Sequence, residues 1–282
     1  MGLSGAVLDE TPHYPSSVMK PYLELSSRQQ RDILQEAQAE LGIDALFLEK
    51  DFWVCVVLDI LFREPSLKPC LCFRGGTSLS KVHGCIQRFS EDIDIALPPS
   101  FFPDMPDVLF PEAEDSTAQR DRKQRRMREY YRNMMRDLML PLFEREFRQA
   151  GIRNVSLELE VLDRARDPFV LLIRYPSVLQ SRENSYVKQQ VKLKLSGRAQ
   201  TEPSSPARID SYLARVFPEL SRPVELLAVS PERTFWEKAF LLHEENVRGG
   251  PVRPRLARHY YDLDSLARHG MFDAGLFEPI KR

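Results

Sequence analysis

The sequence predicts an α+β protein: a lobe built on a mixed sheet, then a helical C-terminal lobe. Three observations predict it. Short apolar strands fall in separate blocks, near residues 70–73, 92–97, 155–195 and 224–229. Long helical stretches with their own start and stop signals lie between and after those blocks. With 282 residues, 43% hydrophobic and 29% charged, the chain can also bury a sizeable core.

Ser26-Ser27 can cap a helix from about Arg28 to Leu41, which Gly42 ends. A second helix covers about Ala45 to Phe62, with Trp53, Val57 and Ile60-Leu61 on its apolar side. Pro65 and Pro69 mark a loop before a strand at Cys70–Phe73. A short helix from Thr77 to about Val82 leads to the strand Asp92–Leu97, stopped by Pro98-Pro99. Residues 103–117 form an acidic, proline-containing connector. A long helical region then runs from about Thr117 to Gln149, where Pro141 is expected to kink or break it. Strands follow at Val155–Val161, Phe169–Arg174 and Val187–Leu195, and residues 200–206 read as a loop. The strand Val224–Val229 enters a helix with Ser230 as N-cap and Pro231 at its first position. Gly249-Gly250-Pro251 ends it, and a last helix spans about Arg255 to Arg268. Residues 1–25 are expected to be an irregular leader. The lobes divide as 1–200 and 201–282.

Formal net charge is −1, so any nucleic-acid contact must come from a local patch. No apolar run approaches the roughly 20 residues that span a bilayer, so no membrane association is expected. The N-terminus lacks a basic segment followed by an apolar one, so no signal peptide is expected, and position 6 lacks the Ser or Thr of a myristoylation motif. Cys55, Cys70, Cys72 and Cys85 have no metal-ligand spacing and read as reduced thiols of a cytoplasmic protein.

The chemistry concentrates in two neighbouring segments. Asp92 and Asp94, two apart on a strand, project from one face while Ile93 and Ile95 point into the core. Gly75-Gly76 opens a helix whose backbone can approach a phosphate, and Ser78 adds a hydroxyl. Alone, Asp-x-Asp is common on surfaces and Gly-Gly is an ordinary turn. In this order and at this distance they supply hard oxygen ligands for Mg²⁺ (or Mn²⁺) beside an anion cradle for an NTP.

Arg74-Gly75-Gly76-Thr77-Ser78-Leu79-Ser80-Lys81, followed by Arg88-Phe89-Ser90-Glu91-Asp92-Ile93-Asp94, resembles the first signature of the AbiEii/AbiGii toxin family of nucleotidyltransferases, within the polymerase-β-like superfamily. Leu48-Glu49-Lys50-Asp51-Phe52-Trp53 resembles the family's N-terminal helix, Glu232–Lys238 its lysine motif and Arg258–Leu263 its C-terminal aspartate motif. The resemblance implies a toxin of a toxin–antitoxin or phage-defence system, with a cognate antitoxin. It implies transfer of NMP from NTP·Mg²⁺ to an acceptor hydroxyl, with the 3′ end of tRNA favoured. Asp92 and Asp94 would hold the metal; Gly75, Gly76, Thr77, Ser78, Ser90 and Lys238 would bind nucleotide; Asp262 would join the catalytic acids. On their residues alone, Lys238 reads as a solvated helical lysine and Asp262 as an i,i+4 partner of Arg258.

One departure stands out. The resemblance implies a third carboxylate within Val191–Arg198, where Lys194 occupies the matching position, and an ammonium cannot ligate Mg²⁺. Glu158, Glu160 or Asp262 are the substitutes open, and a binding-only protein or one that nucleotidylates protein side chains are the rival functions. Finally, Arg120–Arg136 carries eight Arg or Lys against Asp121 and Glu129, with Met127, Tyr130/Tyr131 and Met134 at helical spacing. This basic helix reads equally as an RNA-binding surface or a solvated face.

Overall fold

Ser26 caps the first long helix, its side chain accepting from Gln29 N–H while the Gln29 side chain answers the Ser26 N–H, and Gly42 closes it at φ 66°. Asp44 and Ser116 cap later helices through their side chains in the same way. The structure, a computed structural model, describes residues 20–97, 115–160, 169–180, 187–196, 200–248 and 256–277. Residues 1–19 of the leader, most of the acidic connector and the Gly249-Gly250-Pro251 stop lie outside the described residues; the end of the leader, expected to be irregular, holds a short helix at Lys20–Leu23. The helices are α1 (Lys20–Leu23), α2 (Ser27–Leu41), α3 (Ala45–Arg63), α4 (Gly75–Lys81), α5 (Thr117–Met134), α6 (Leu140–Gln149), α7 (Pro231–Arg248) and α8 (Ala257–Arg268).

The strands are β1 (Cys72–Arg74), β2 (Asp92–Ala96), β3 (Ser156–Glu160), β4 (Phe169–Arg174), β5 (Gln190–Ser196), β6 (Ser204–Ile209) and β7 (Val224–Val229). They form one sheet in the order β3-β4-β5-β2-β1-β7-β6. It is mixed, as expected: β2 runs parallel to β5 and β1 parallel to β7, whereas β1 and β2 are antiparallel. Two of its strands lie beyond residue 200, in the stretch read from sequence as mainly helical. One of them corrects an expectation. Part of the supposed 200–206 loop is β6, which pairs with β7 and puts Pro206 opposite Leu227. Pro203 and Pro206 suggested a loop, but β6 lies at the sheet edge, where a residue without an N–H is tolerated.

Pro141 does not end the helical run. Met135–Met139 is a π turn joining α5 to α6, and Leu140 N–H bonds to the Met135 carbonyl. Widening the helix there relieves the clash a proline ring makes one turn back.

The two faces of the sheet differ in kind. Ile93, Ile95, Leu193 and Leu195 are at most 1% exposed and pack with α3 and with Met127, Tyr131 and Met134 of α5. Each such side chain contributes about 1.5–3 kcal/mol of burial. Tyr131 stacks on Phe169 and donates to the Leu97 carbonyl, which fixes α5 on this apolar face. The opposite face is polar and carries the site.

α3 is buried almost all round, its charged residues included. Glu49 accepts from the Ser177 hydroxyl and Val178 N–H, Lys50 pairs with Glu91, and Asp51 pairs with Lys81 and accepts from Tyr212 N–H. Buried charges persist only when partnered. These partners tie α3 to the end of α4 and to the loop entering β2.

Candidate active site

Strand register builds the site. Asp92 and Asp94 of β2 lie beside Lys192 and Lys194 of β5, and Asp94 faces Arg74 of β1 on its other side. With period-2 alternation these side chains share one face, while Ile93 and Leu193 fill the core. They line a cleft of ≈ 490 Å³ closed from the far side by α7 and α8. Six basic side chains (Arg74, Arg88, Lys192, Lys194, Lys238 and Arg258) line it against four carboxylates, so the cleft suits a polyanion.

Gly75 has to be glycine, and Gly76 is closely crowded by side chains. Gly75 sits at φ +77°, and a Cβ there would run into the Asp94 carboxylate. A Cβ on Gly76 would fall 2.8 Å from Ser90 Oγ. The Thr77 hydroxyl donates to the Asp92 carbonyl at 2.5 Å and lies 3.0 Å from Ser90 Oγ. The turn therefore holds Ser90 and the start of β2 against each other.

Of the residues singled out from sequence, Gly75, Gly76, Ser90, Asp92, Asp94 and Lys238 all line the cleft. Thr77 and Ser78 are each 1% exposed and do not line it. Asp262 is fully buried behind it. It receives two bonds from Arg88, at 2.6 and 2.7 Å, and an ion pair from Lys238 at 2.9 Å. The i,i+4 pairing expected with Arg258 is thus replaced by these two long-range partners, and Arg258 lines the cleft instead. Nor is Asp262 an exposed lysine's neighbour, because Lys238 is itself buried.

Electrostatics follow from these contacts. Burial pushes the Asp262 carboxyl upward, but Arg88 and Lys238 outweigh it and hold the group below the usual carboxylate range. Burial lowers Lys238 more than Asp262 raises it. His259 Nδ1 lies 3.5 Å from Lys238 Nζ, and burial together with Lys238 and Arg258 brings this histidine down to about 4. Its ring is neutral at neutral pH.

Lys194 takes the place between the two acids. Its Nζ is 2.6 Å from Asp92 Oδ2 and 3.6 Å from Asp94 Oδ1. Burial would lower Lys194, but Asp94 and Asp92 carry it above its ordinary value. Burial would raise Asp92, but Lys194 holds it low. Among the expected substitutes for a third acid, Glu158 is an exposed partner of Arg174, whereas Glu160 lines the cleft and pairs with Lys192 at 3.1 Å.

Two carboxylates on one strand face are the donor chemistry of a hard divalent ion, and both open onto the cleft. They fit such an ion once Lys194 yields. Among the described residues no cluster of three or more His, Cys, Asp or Glu forms a metal cage. Of the basic lining, Lys194 and Lys238 are singled out from sequence, and Arg74 and Arg88 appear there only as members of the signature around the two glycines and Ser90. Glu237, Arg258 and His259 fall within the lysine and aspartate motifs without a role of their own at the cleft being read from them, and Lys192 carries no signal beyond its strand. Cys55, Cys72 and Cys85 are buried, Cys70 is half-buried, and all four are free thiols. Among the described residues no helix is long and apolar enough to cross a membrane.

A family model described as Nucleotidyl transferase AbiEii toxin, Type IV TA system, matches residues 59–280. No curated protein and no solved structure matches the chain.

Proposed function

The chain belongs to the AbiEii family of nucleotidyl transferase toxins of type IV toxin–antitoxin systems, and from that premise we propose that it transfers NMP from an NTP to the 3′ end of a tRNA. Family membership itself makes it a nucleotidyltransferase with a nucleotide substrate and an antitoxin partner. The observation that carries the finer reading is one cleft holding a carboxylate pair inside a basic lining.

In the reaction the acceptor hydroxyl gives up its proton to water, its oxygen bonds to the α-phosphorus, the bond to the bridging oxygen breaks, and pyrophosphate leaves with the electron pair. Asp92 and Asp94 would hold a divalent ion, which when bound would supply Lewis-acid charge at the phosphate. Lys238 offers a point charge to the phosphates, and Asp262 sets its position together with that of Arg88. Gly75 and Gly76 let substrate come close to the backbone, with the Ser90 hydroxyl beside them. Thr77 and Ser78 support the turn from beneath.

The exposed arginines of α5 (Arg122, Arg125, Arg126 and Arg132) lie on the sheet face away from the carboxylates. In this reading they hold the body of the RNA, and the cleft takes its end.

Incubating the protein with each labelled NTP, total RNA and total protein tests the proposal. Label at the 3′ end of tRNA is the expected result. Label on protein would replace the acceptor with a side-chain hydroxyl. No label with any NTP, in Mg²⁺ or Mn²⁺, would overturn the enzymatic site.

A further inference from the structure

Resting on that reading of the cleft, we infer that Lys194 is a resident cation which occupies the Asp92–Asp94 pair in the free protein and surrenders it only when nucleotide and metal arrive together. The parallel register of β2 and β5 puts Lys194 directly beside Asp94. Its neighbour Lys192, which faces Asp92 in the same register, turns away to Glu160. Lys194 is thereby left to serve both acids, at 2.6 and 3.6 Å. Its side chain is 20% exposed and those of Asp92 and Asp94 are 17% and 31% exposed, so the pairing is partly shielded from water.

The consequence is a matter of charge. Two carboxylates alone present −2 to a divalent ion; with the ammonium between them they present −1, and the oxygen nearest Lys194 is already engaged. Metal affinity in such sites follows the charge count of the ligands. A bare ion must therefore displace an ammonium that has nowhere better to go. A nucleotide changes this, because its phosphates offer the flexible lysine stem a new anionic partner within the same cleft. Lys194 acts in this scheme as a positioning residue that couples metal occupancy to nucleotide occupancy.

Mn²⁺ binding reads this directly, by paramagnetic resonance of free Mn²⁺, with no turnover required. Wild-type protein should bind Mn²⁺ weakly alone and at least roughly tenfold more tightly in the presence of α,β-methylene NTP analogues. Lys194→Met keeps the stem and removes the charge. It should tighten binding of Mn²⁺ alone by roughly tenfold or more, the scale of one charge-assisted hydrogen bond, and shrink the nucleotide effect accordingly. Equal affinity of wild-type and Lys194→Met for Mn²⁺ alone, with Mn²⁺·analogue binding intact, would overturn the lock and leave the site standing. If neither protein bound Mn²⁺ or its nucleotide complex, both would fall. Should Lys194→Met fail to fold, the wild-type titration decides alone: Mn²⁺ binding as tight without nucleotide as with it overturns the inference.

Discussion

Replacing Asp262 by Asn separates a buried counter-ion from a metal-binding acid. The carboxyl is fully buried and holds Arg88 through two bonds and Lys238 at 2.9 Å. Asn keeps the shape but removes the charge. Arg88 is 22% exposed along its side chain and can turn toward water. Lys238, with a side chain only 10% exposed, cannot do so without moving α7. Removing one partner of a buried pair typically costs about 3–5 kcal/mol. The lysine sets its own ceiling, since discharging an ordinary lysine at neutral pH costs about 4.6 kcal/mol. In a chain of this size each kcal/mol lowers Tm by about 2–4 °C, so a fall on the order of 6–20 °C is expected in thermal unfolding. The sign of the pH dependence follows. Without Asp262 the folded Lys238 sits further below its unfolded value, so the unfolded state binds more protons and the variant gains stability as pH rises. Its deficit against wild type should therefore shrink between neutral pH and about pH 9. A variant within about 2 °C of wild type, or a deficit that pH does not change, would refute the buried counter-ion.

Three further outcomes follow from the same geometry. Asp92→Ala and Asp94→Ala should abolish labelling in the NTP assay while leaving cooperative unfolding intact, because both side chains open onto the cleft; a double variant that still labels acceptor would rule the site out. His259, neutral when folded and held at about 4, takes up protons on unfolding as pH falls from about 6.5 toward 4, so stability declines across that window and His259→Gln should flatten the decline in denaturant titrations. Alanine at Arg122, Arg125, Arg126 and Arg132 should weaken RNA binding and lower its log–log salt slope by about 0.7–0.9 per lost phosphate contact. Nucleotide affinity should be unaffected, since α5 lies across the sheet from the cleft, and an unchanged slope would leave α5 a solvated face.

What sequence determined here was local. The alternation of Asp92-Ile93-Asp94-Ile95 requires opposite faces whatever the sheet around it, and Ser26, Gly42 and Ser230 mark helix ends through bonds within a few residues. Gly75 and Gly76 were legible for the same reason, as a turn opening a helix. Tertiary structure decided everything that depends on who stands across a gap. Asp262 reads in sequence as a partner of Arg258, one turn away, yet Arg88, 174 residues distant, holds it. Pro206 reads as loop, yet an edge position makes it strand. Lys194 reads only as a missing acid; the parallel pairing of β2 with β5 turns it into the cation that the two aspartates hold. Side chains this far apart in sequence acquire their electrostatic roles only through register, because charge interactions depend on separations of a few ångströms that no spacing along the chain encodes.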